Sequence, residues 1–238
     1  MFYWDPKPEL FTLPGINFPI LWYGFFFAFG FWISSLLLFR LFLQFLRNTS
    51  SPIDLHSRAR KIVDHLSLYL VIATLVGARL GHLIFYENPS LYLSDPLEIF
   101  RIRNGGLASH GAVFAVLIAM VLFTRSIRKV EKSLSFLRLL DLLAIVAPLT
   151  AACIRIGNFF NQEILGHPTS FPLAITFGHP ADGSLPTPCH PVQLYEAATY
   201  FSLFFLMWRL WKTSSFFRFE GKLAGLLFFN HFSSRFLL

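Results

Sequence analysis

The feature that most constrains this chain is a series of apolar runs, each close to the length of a membrane-crossing helix. Such a helix needs about 20 mostly apolar residues to span the hydrocarbon core of a bilayer. Six runs meet or approach this length: 20–39, 66–86, 106–123, 139–160, 192–208 and 223–238. The sequence therefore predicts an all-α polytopic membrane protein with six transmembrane helices.

The composition agrees with a lipid-facing surface. Hydrophobic residues make up 55% of the chain and charged residues 14%, whereas soluble domains average about 45–50% and about 25%. The net charge of +7 could suggest nucleic acid, but the basic residues lie between the apolar runs and form no stripe or arm, so we expect no nucleic-acid partner. The two cysteines, Cys153 and Cys189, are too few for a disulfide framework, and neither indicates a metal site.

The distribution of Lys and Arg predicts the orientation. Most of the 20 basic residues lie in three connecting segments, 40–62, 125–138 and 209–222, whereas segment 161–191 has none. Because short loops rich in Lys and Arg stay in the cytoplasm, the amino terminus should lie outside. The first ten residues lack the basic head and apolar run of a cleavable signal, so we expect the first apolar run to stay in the mature protein.

We find no internal repeat or second domain, and the sequence predicts a single membrane domain over 1–238. Two outer segments differ from the rest. Segment 87–105 mixes apolar and acidic residues, which is typical of a short amphipathic arm on the membrane surface. Segment 161–191 is rich in Pro and Gly and predicts a small irregular cap.

Unusual polar residues lie toward the outer ends of four predicted helices. They are Tyr23, His110, Arg155, Asn158 and Arg235. An arginine at mid-bilayer costs about 2.5–3.5 kcal/mol on insertion scales, so each arginine needs a partner, for which Glu163 and Glu196 are candidates, or access to the interface. Two guanidinium groups can hold a phosphodiester, because each donates parallel hydrogen bonds and stays charged.

Each of these residues also has a simpler interpretation. Either arginine alone can reach headgroup phosphates without a further role. A lone membrane histidine commonly hydrogen-bonds between helices, and Tyr23 beside Trp22 fits an interfacial aromatic belt. His110 lies between Gly106 and Gly111, where small residues leave room for a substrate and a histidine can shuttle protons.

Several motifs occur in an order that resembles a known family. Segment 155–163 reads Arg-Ile-Gly-Asn-Phe-Phe-Asn-Gln-Glu and is followed by Gly166; 104–111 reads Asn-Gly-Gly-Leu-Ala-Ser-His-Gly; 190–196 reads His-Pro-Val-Gln-Leu-Tyr-Glu. Shorter matches occur at 22–24, 78–81 and 136–141. From about Tyr23 to Arg235 the chain resembles the prolipoprotein diacylglyceryl transferases of bacterial inner membranes.

The resemblance implies a multi-pass enzyme of the bacterial inner (cytoplasmic) membrane with its active site on the periplasmic side. Such an enzyme takes phosphatidylglycerol laterally from the membrane lipids and joins its diacylglyceryl group to the lipobox cysteine of a prolipoprotein through a thioether. Glycerol phosphate leaves. No metal and no cofactor is implied, since the developing phosphate charge can be stabilised by arginines.

The resemblance also implies roles for individual residues. The catalytic residues would be His110, Arg155 and Arg235. The residues that bind and orient the substrate would be Tyr23, Arg155, Asn158, Asn161, Glu163 and Arg235. Supporting residues would be Gly106, Gly111, Gly157, His190, Gln193, Tyr195, Glu196 and His231. His231 stands where the family usually has a tyrosine.

Two alternatives remain open. The family usually has a seventh span after the point where this chain stops, at Leu238, which would fit a truncated or impaired homologue. A transporter or channel lined by intramembrane His and Arg should show paired half-repeats, whereas the polar residues here cluster toward one membrane face.

Overall fold

A computed structural model describes residues 2–15, 17–49, 54–87, 108–213 and 219–237, the last seven by their backbone alone. The described residues form six helices. They are α1 (Trp22–Thr49), α2 (Leu55–Tyr86), α3 (Ser109–Ile127), α4 (Phe136–Phe160), α5 (Val192–Trp211) and α6 (Lys222–Leu237). By length and composition, α1 to α4 are candidates to cross a membrane.

Five short strands lie outside these helices. They are β1 (Phe2–Trp4), β2 (Glu9–Leu13), β3 (Phe18–Leu21), β4 (Ile175–Phe177) and β5 (Pro188–Cys189). Strands β2 and β3 form an antiparallel hairpin that leads into α1. Strand β4 pairs with β1 in parallel and with β5 in antiparallel orientation. The amino-terminal segment is thereby joined to residues more than 170 positions away, since Phe2 pairs with Ile175.

The chain divides into two compact units. The first combines Met1–Leu38 with Leu140–Leu238, and the second is Phe39–Leu139. Helices α1 and α4 each contribute to both units, because the division falls within them.

In the first unit, α1 packs closely against α4. A Cβ atom added at Gly157 would lie 3.2 Å from the Cα atom of Tyr23, so the absence of a side chain lets the helices approach at the outer ends predicted above. Farther along α1, the hydroxyl groups of Ser34 and Thr150 lie 2.7 Å apart and share a hydrogen bond. Ser34 also donates to the carbonyl of Val146. These contacts fix α4 beside α1.

In the second unit, α2 and α3 cross at small residues. An added Cβ at Gly111 would lie 2.6 Å from the Cα atom of Gly81, and one at Gly77 would lie 2.6 Å from the carbonyl oxygen of Gly111. Such spacing of small residues lets helix backbones approach in a membrane. The backbone N–H of Ala108 donates to the carbonyl of Ala78 at 2.9 Å, which joins the start of α3 to α2.

The structure confirms a mostly helical membrane protein with six helices among its described residues, and it shifts their boundaries. The predicted loop 40–62 is largely helical, because α1 continues to Thr49 and α2 begins at Leu55. The extension of α1 carries buried apolar residues among its basic ones, so packing continues the helix past the uncharged run. These residues are Leu41, Phe42, Leu43, Phe45 and Leu46.

Two further predictions need correction. The protein is not purely helical, and the cap 161–191 is not wholly irregular: it contains β4 and β5, which are ordered by pairing with each other and with the distant β1. A criterion of apolar length detects none of these short strands. Of the predicted arm 87–105, the structure describes Glu87 alone. The single domain and the number of spans stay predictions.

Candidate active site

Arg155 lies near the end of α4 and forms an ion pair with Glu196 of α5. Its Nε lies 2.6 Å from Oε2 of Glu196, and its Nη2 donates to Oε1 at 3.4 Å. The side chains are only 14% and 8% exposed, so little water shields the pair. The guanidinium fork faces a two-oxygen acceptor, which is the geometry that also suits a phosphodiester. Of the two predicted partners, Glu196 forms this ion pair.

Glu163, the other predicted partner, holds a different position in the same cluster. Its Oε1 accepts a hydrogen bond from Nδ2 of Asn161 at 2.7 Å. Tyr23 is close enough to Glu163 and Arg155 to interact electrostatically with both. The end of α4 and the start of α1 therefore bring Tyr23 and Arg155 close to Asn161 and Glu163, four of the residues predicted to bind the substrate.

The chain turns sharply after α4. Gln162 and Ile164 adopt φ angles of 53° and 58°, in the left-handed region that residues other than glycine rarely occupy. The backbone N–H of Glu163 donates to the carbonyl of Asn158, a buried residue in the last turn of α4. This turn directs Glu163 back toward α5, where Nε2 of Gln193 donates to its carbonyl oxygen at 2.8 Å.

His190 and Tyr195 contact each other at the start of α5. Nδ1 of His190 lies 3.3 Å from the Tyr195 hydroxyl. The backbone of His190 pairs with the cap through His167 and Gly166. Both side chains thus support the junction between the cap and α5.

A polar network missed by the sequence analysis ties the amino terminus to this region. Nε2 of Gln162 donates to Oδ1 of Asp5 at 3.1 Å, and Nδ1 of His179 lies 2.6 Å from the same oxygen. Oε1 of Gln162 accepts the backbone N–H of His179 at 2.8 Å. Hydrogen bonds from His179 and Gln162 lower the pKa of Asp5 below its usual value.

An aromatic contact reinforces that network. Trp4 donates its indole N–H to the carbonyl of Phe159 at 3.2 Å, and its ring packs on the Phe159 ring with centroids 4.7 Å apart. The ring of Phe160 stacks on Trp22 at 4.6 Å. No local pattern predicts these partners, because the contacts join the first residues of the chain to the end of α4.

His110 lies in the second unit, in the first turn of α3. Its ring contacts Phe85 and Tyr86, with centroids 4.9 and 5.8 Å away. Tyr86 also stacks on His82, and Nε2 of His82 lies 2.9 Å from Oε1 of Glu87. His82 and Glu87 were not among the predicted residues, although both are polar residues near the end of an apolar run.

The predicted role of Gly111 needs correction. The sequence predicted that Gly111 leaves room for a substrate, but Gly77 and Gly81 occupy the space beside it. Gly111 therefore serves helix packing. Gly106 is not among the described residues, and only the backbone is described for His231 and Arg235. Their predicted roles stay predictions.

Comparison with known proteins gives the family. The family model described as prolipoprotein diacylglyceryl transferase matches residues 8–238. The chain belongs to this family. Its curated relatives carry the name phosphatidylglycerol–prolipoprotein diacylglyceryl transferase. The relative from Protochlamydia amoebophila is 38% identical, with 99% of this chain and 84% of the relative covered. That from Chloroherpeton thalassium is 40% identical, with 99% and 80% covered.

A third diacylglyceryl transferase, from Tolumonas auensis, is 39% identical and covers 100% of this chain and 83% of its own length. The resemblance to this family that the sequence motifs indicated is thus confirmed over nearly the whole sequence. In this transferase the family's arginine segment, 155–163, supplies Arg155, Asn161 and Glu163 to one polar cluster. The segment 190–196 supplies the partner Glu196.

Proposed function

We propose that this transferase moves the diacylglyceryl group of phosphatidylglycerol to the lipobox cysteine thiol of prolipoproteins and releases glycerol phosphate. Family membership supports the reaction. The main structural support for this site is Arg155, which is largely buried and paired with Glu196. An enclosed guanidinium is suited to binding a phosphodiester.

The reaction is a displacement at carbon. The cysteine sulfur attacks the glyceryl carbon, the bond from that carbon to the phosphate oxygen breaks, and a thioether forms. The departing phosphate gains negative charge, which Arg155 and Arg235 stabilise. Tyr23, Asn158, Asn161 and Glu163 orient the headgroup and the arginine.

The thiol must lose its proton during the attack. A free cysteine has a pKa of about 8.5, so a general base raises the fraction of reactive thiolate. We assign this role to His110, whose imidazole is the side chain best suited to proton transfer near neutral pH. The ring of Phe85 contacts the His110 ring edge-on, and the ring of Tyr86 contacts it at a tilted angle.

We further propose that the protein crosses the bacterial inner membrane several times, with its amino terminus, its arm and its cap on the periplasmic side. The pairing of β1 with β4 supports this orientation, because it requires the amino terminus and segment 161–191 to lie on the same side. The three segments rich in Lys and Arg would then face the cytoplasm.

The test is to incubate the purified chain with phosphatidylglycerol vesicles and a lipobox peptide and to detect the diacylglyceryl thioether by mass spectrometry. Arg155→Ala should lower turnover by roughly 100-fold or more. Arg58→Ala is a matched control, since Arg58 also pairs with a buried glutamate, Glu131, but in the second unit. In this control, turnover per folded molecule should stay close to the wild-type value.

The outcomes separate the proposals. Absence of the thioether product from the wild-type protein would contradict the activity. Normal turnover by Arg155→Ala would contradict the phosphate role. His110→Gln should lower turnover strongly, because a glutamine amide cannot take up the thiol proton, and an unchanged rate would exclude His110 as the base.

A further inference from the structure

Gln193 is a fully buried glutamine in which only the NH2 group of the amide has a hydrogen-bond partner among the described residues. It lies in the first turn of α5 and is 0% exposed. Its Nε2 donates to the carbonyl of Glu163 at 2.8 Å, which fixes the direction of the amide. Among the residues that the structure describes, none donates a hydrogen bond to its Oε1. A buried acceptor left unsatisfied costs about 1–3 kcal/mol, so this oxygen strongly favours a donor.

Another buried glutamine in the same unit shows the contrast. Gln162 donates from Nε2 to Asp5 and accepts at Oε1 from the backbone N–H of His179. Its amide has a structural partner on each side. The unsatisfied amide oxygen of Gln193 is therefore specific to its position, because the amide of the other buried glutamine has a partner for each of its two groups.

The position of Gln193 places it in the polar cluster of Arg155. Gln193 and Glu196 are three residues apart on α5, a spacing that puts side chains next to each other on one helix face. Glu196 holds the guanidinium of Arg155, and the Nε2 group of Gln193 contacts the Glu163 backbone. The unsatisfied Oε1 thus belongs to a side chain that contacts the Glu163 backbone and lies one helical turn from Glu196, the partner of Arg155.

We propose that Oε1 of Gln193 accepts a hydrogen bond from a hydroxyl group of the headgroup glycerol and so makes the enzyme selective for glycerol-bearing lipids. This inference rests on the proposed function. A site built to bind a substrate hydroxyl rejects an analogue that lacks it, because the buried partner then stays unpaired. The phosphate contacts of Arg155 cannot provide that selectivity, since every phosphodiester lipid offers the same oxygens.

The experiment compares two donor lipids with the chain of residues 1–238 and a lipobox peptide. The donors are phosphatidylglycerol and phosphatidylpropanol, whose headgroup carries no hydroxyl. The readout is the ratio of kcat/KM for the two donors. The wild-type protein should favour phosphatidylglycerol roughly tenfold or more, the value of one buried hydrogen bond. In Gln193→Met, which keeps the length without the acceptor, the ratio should fall toward one.

Gln162→Met is the matched control. It removes a buried amide that bonds only to the protein, so it should affect both donors alike and leave the ratio as in the wild type. A ratio near one in the wild type, or an unchanged ratio in Gln193→Met, would overturn the inference. If Gln193→Met does not fold, Gln193→Asn replaces it, because the shorter side chain withdraws the acceptor and should lower the ratio too. Failure of the wild-type protein to use either donor would instead contradict the proposed function.

Discussion

The carboxylate of Asp141 accepts a hydrogen bond from the backbone N–H of Leu223 at 3.0 Å, although the two residues are 82 positions apart. The same side chain accepts the N–H groups of Ala224 at 3.0 Å and Gly221 at 2.8 Å. The first N–H groups of a helix have no partner within it. Asp141, which is fully buried on α4, therefore serves as the cap of α6 from another helix.

Asp141→Ala should release the start of α6. Loss of a capping side chain costs typically about 1 kcal/mol. The two buried N–H groups of Leu223 and Ala224 would also lose their acceptor, which raises the cost further. Hydrogen exchange of residues 221–226 in detergent should accelerate. Asp141→Asn keeps one acceptor oxygen and should give an intermediate rate, whereas equal exchange in all three proteins would contradict the capping role.

Removing one member of the Arg155 and Glu196 pair should destabilise the protein more than removing both charges. Arg155→Ala removes the guanidinium beside a largely buried carboxylate. Loss of one member of a buried pair costs about 3–5 kcal/mol in comparable cases. Adding Glu196→Gln removes that charge and should recover part of the loss. Unfolding of the two single variants and the double variant in detergent measures the coupling, and strictly additive effects would contradict it.

The sequence predicted the parts of the fold that follow from apolar length and motif order. The helices belong to these, and so does the proximity of Asn161 and Glu163, because each depends on residues within one segment. The acidic partner of Arg155 was also predictable, because a charge in the membrane needs compensation. Helix ends were less predictable. The extension of α1 to Thr49 depends on the burial of residues such as Phe42, which no count of consecutive apolar residues detects.

The contacts that join distant segments could not be predicted. Strand β1 is only three residues long and acquires its order from β4. Gln162 was not among the predicted site residues, yet its amide holds Asp5 and His179. Gly111 looked like a residue that makes room, because sequence alone does not distinguish space for a substrate from space for another helix.

Gly111→Ala should weaken the packing of α2 on α3. The added Cβ would lie 2.6 Å from the Cα atom of Gly81, closer than real contacts allow, and backbone atoms cannot move aside cheaply. Gly24→Ala is a suitable control, because nothing lies within 4 Å of the Cβ it would add. Thermal unfolding in detergent should show a lower midpoint for Gly111→Ala, and an equal or higher midpoint for Gly24→Ala, since alanine favours helix. Equal midpoints for both variants would contradict the close crossing.

Acid should loosen the amino-terminal strand. The pKa of Asp5 in the folded protein lies below its usual value because His179 and Gln162 bind the carboxylate, so the associated stabilisation is present above the usual pKa of about 3.9. It is lost as the pH falls through the folded value, when the carboxyl group takes up a proton. Hydrogen exchange of residues 2–4, corrected for its intrinsic pH dependence, should therefore lose protection at acidic pH.

Two variants separate this effect from general acid unfolding. Asp5→Asn should lower the protection of residues 2–4 at neutral pH and remove its dependence on acid. Asp182→Asn is the control: hydrogen bonds from Ser184 also lower the pKa of Asp182, but they lie within a local turn of the cap. That variant should keep the acid response of β1. Protection that is insensitive to Asp5→Asn would mean that the pairing of β1 with β4 alone, without the carboxylate, holds the amino terminus in place.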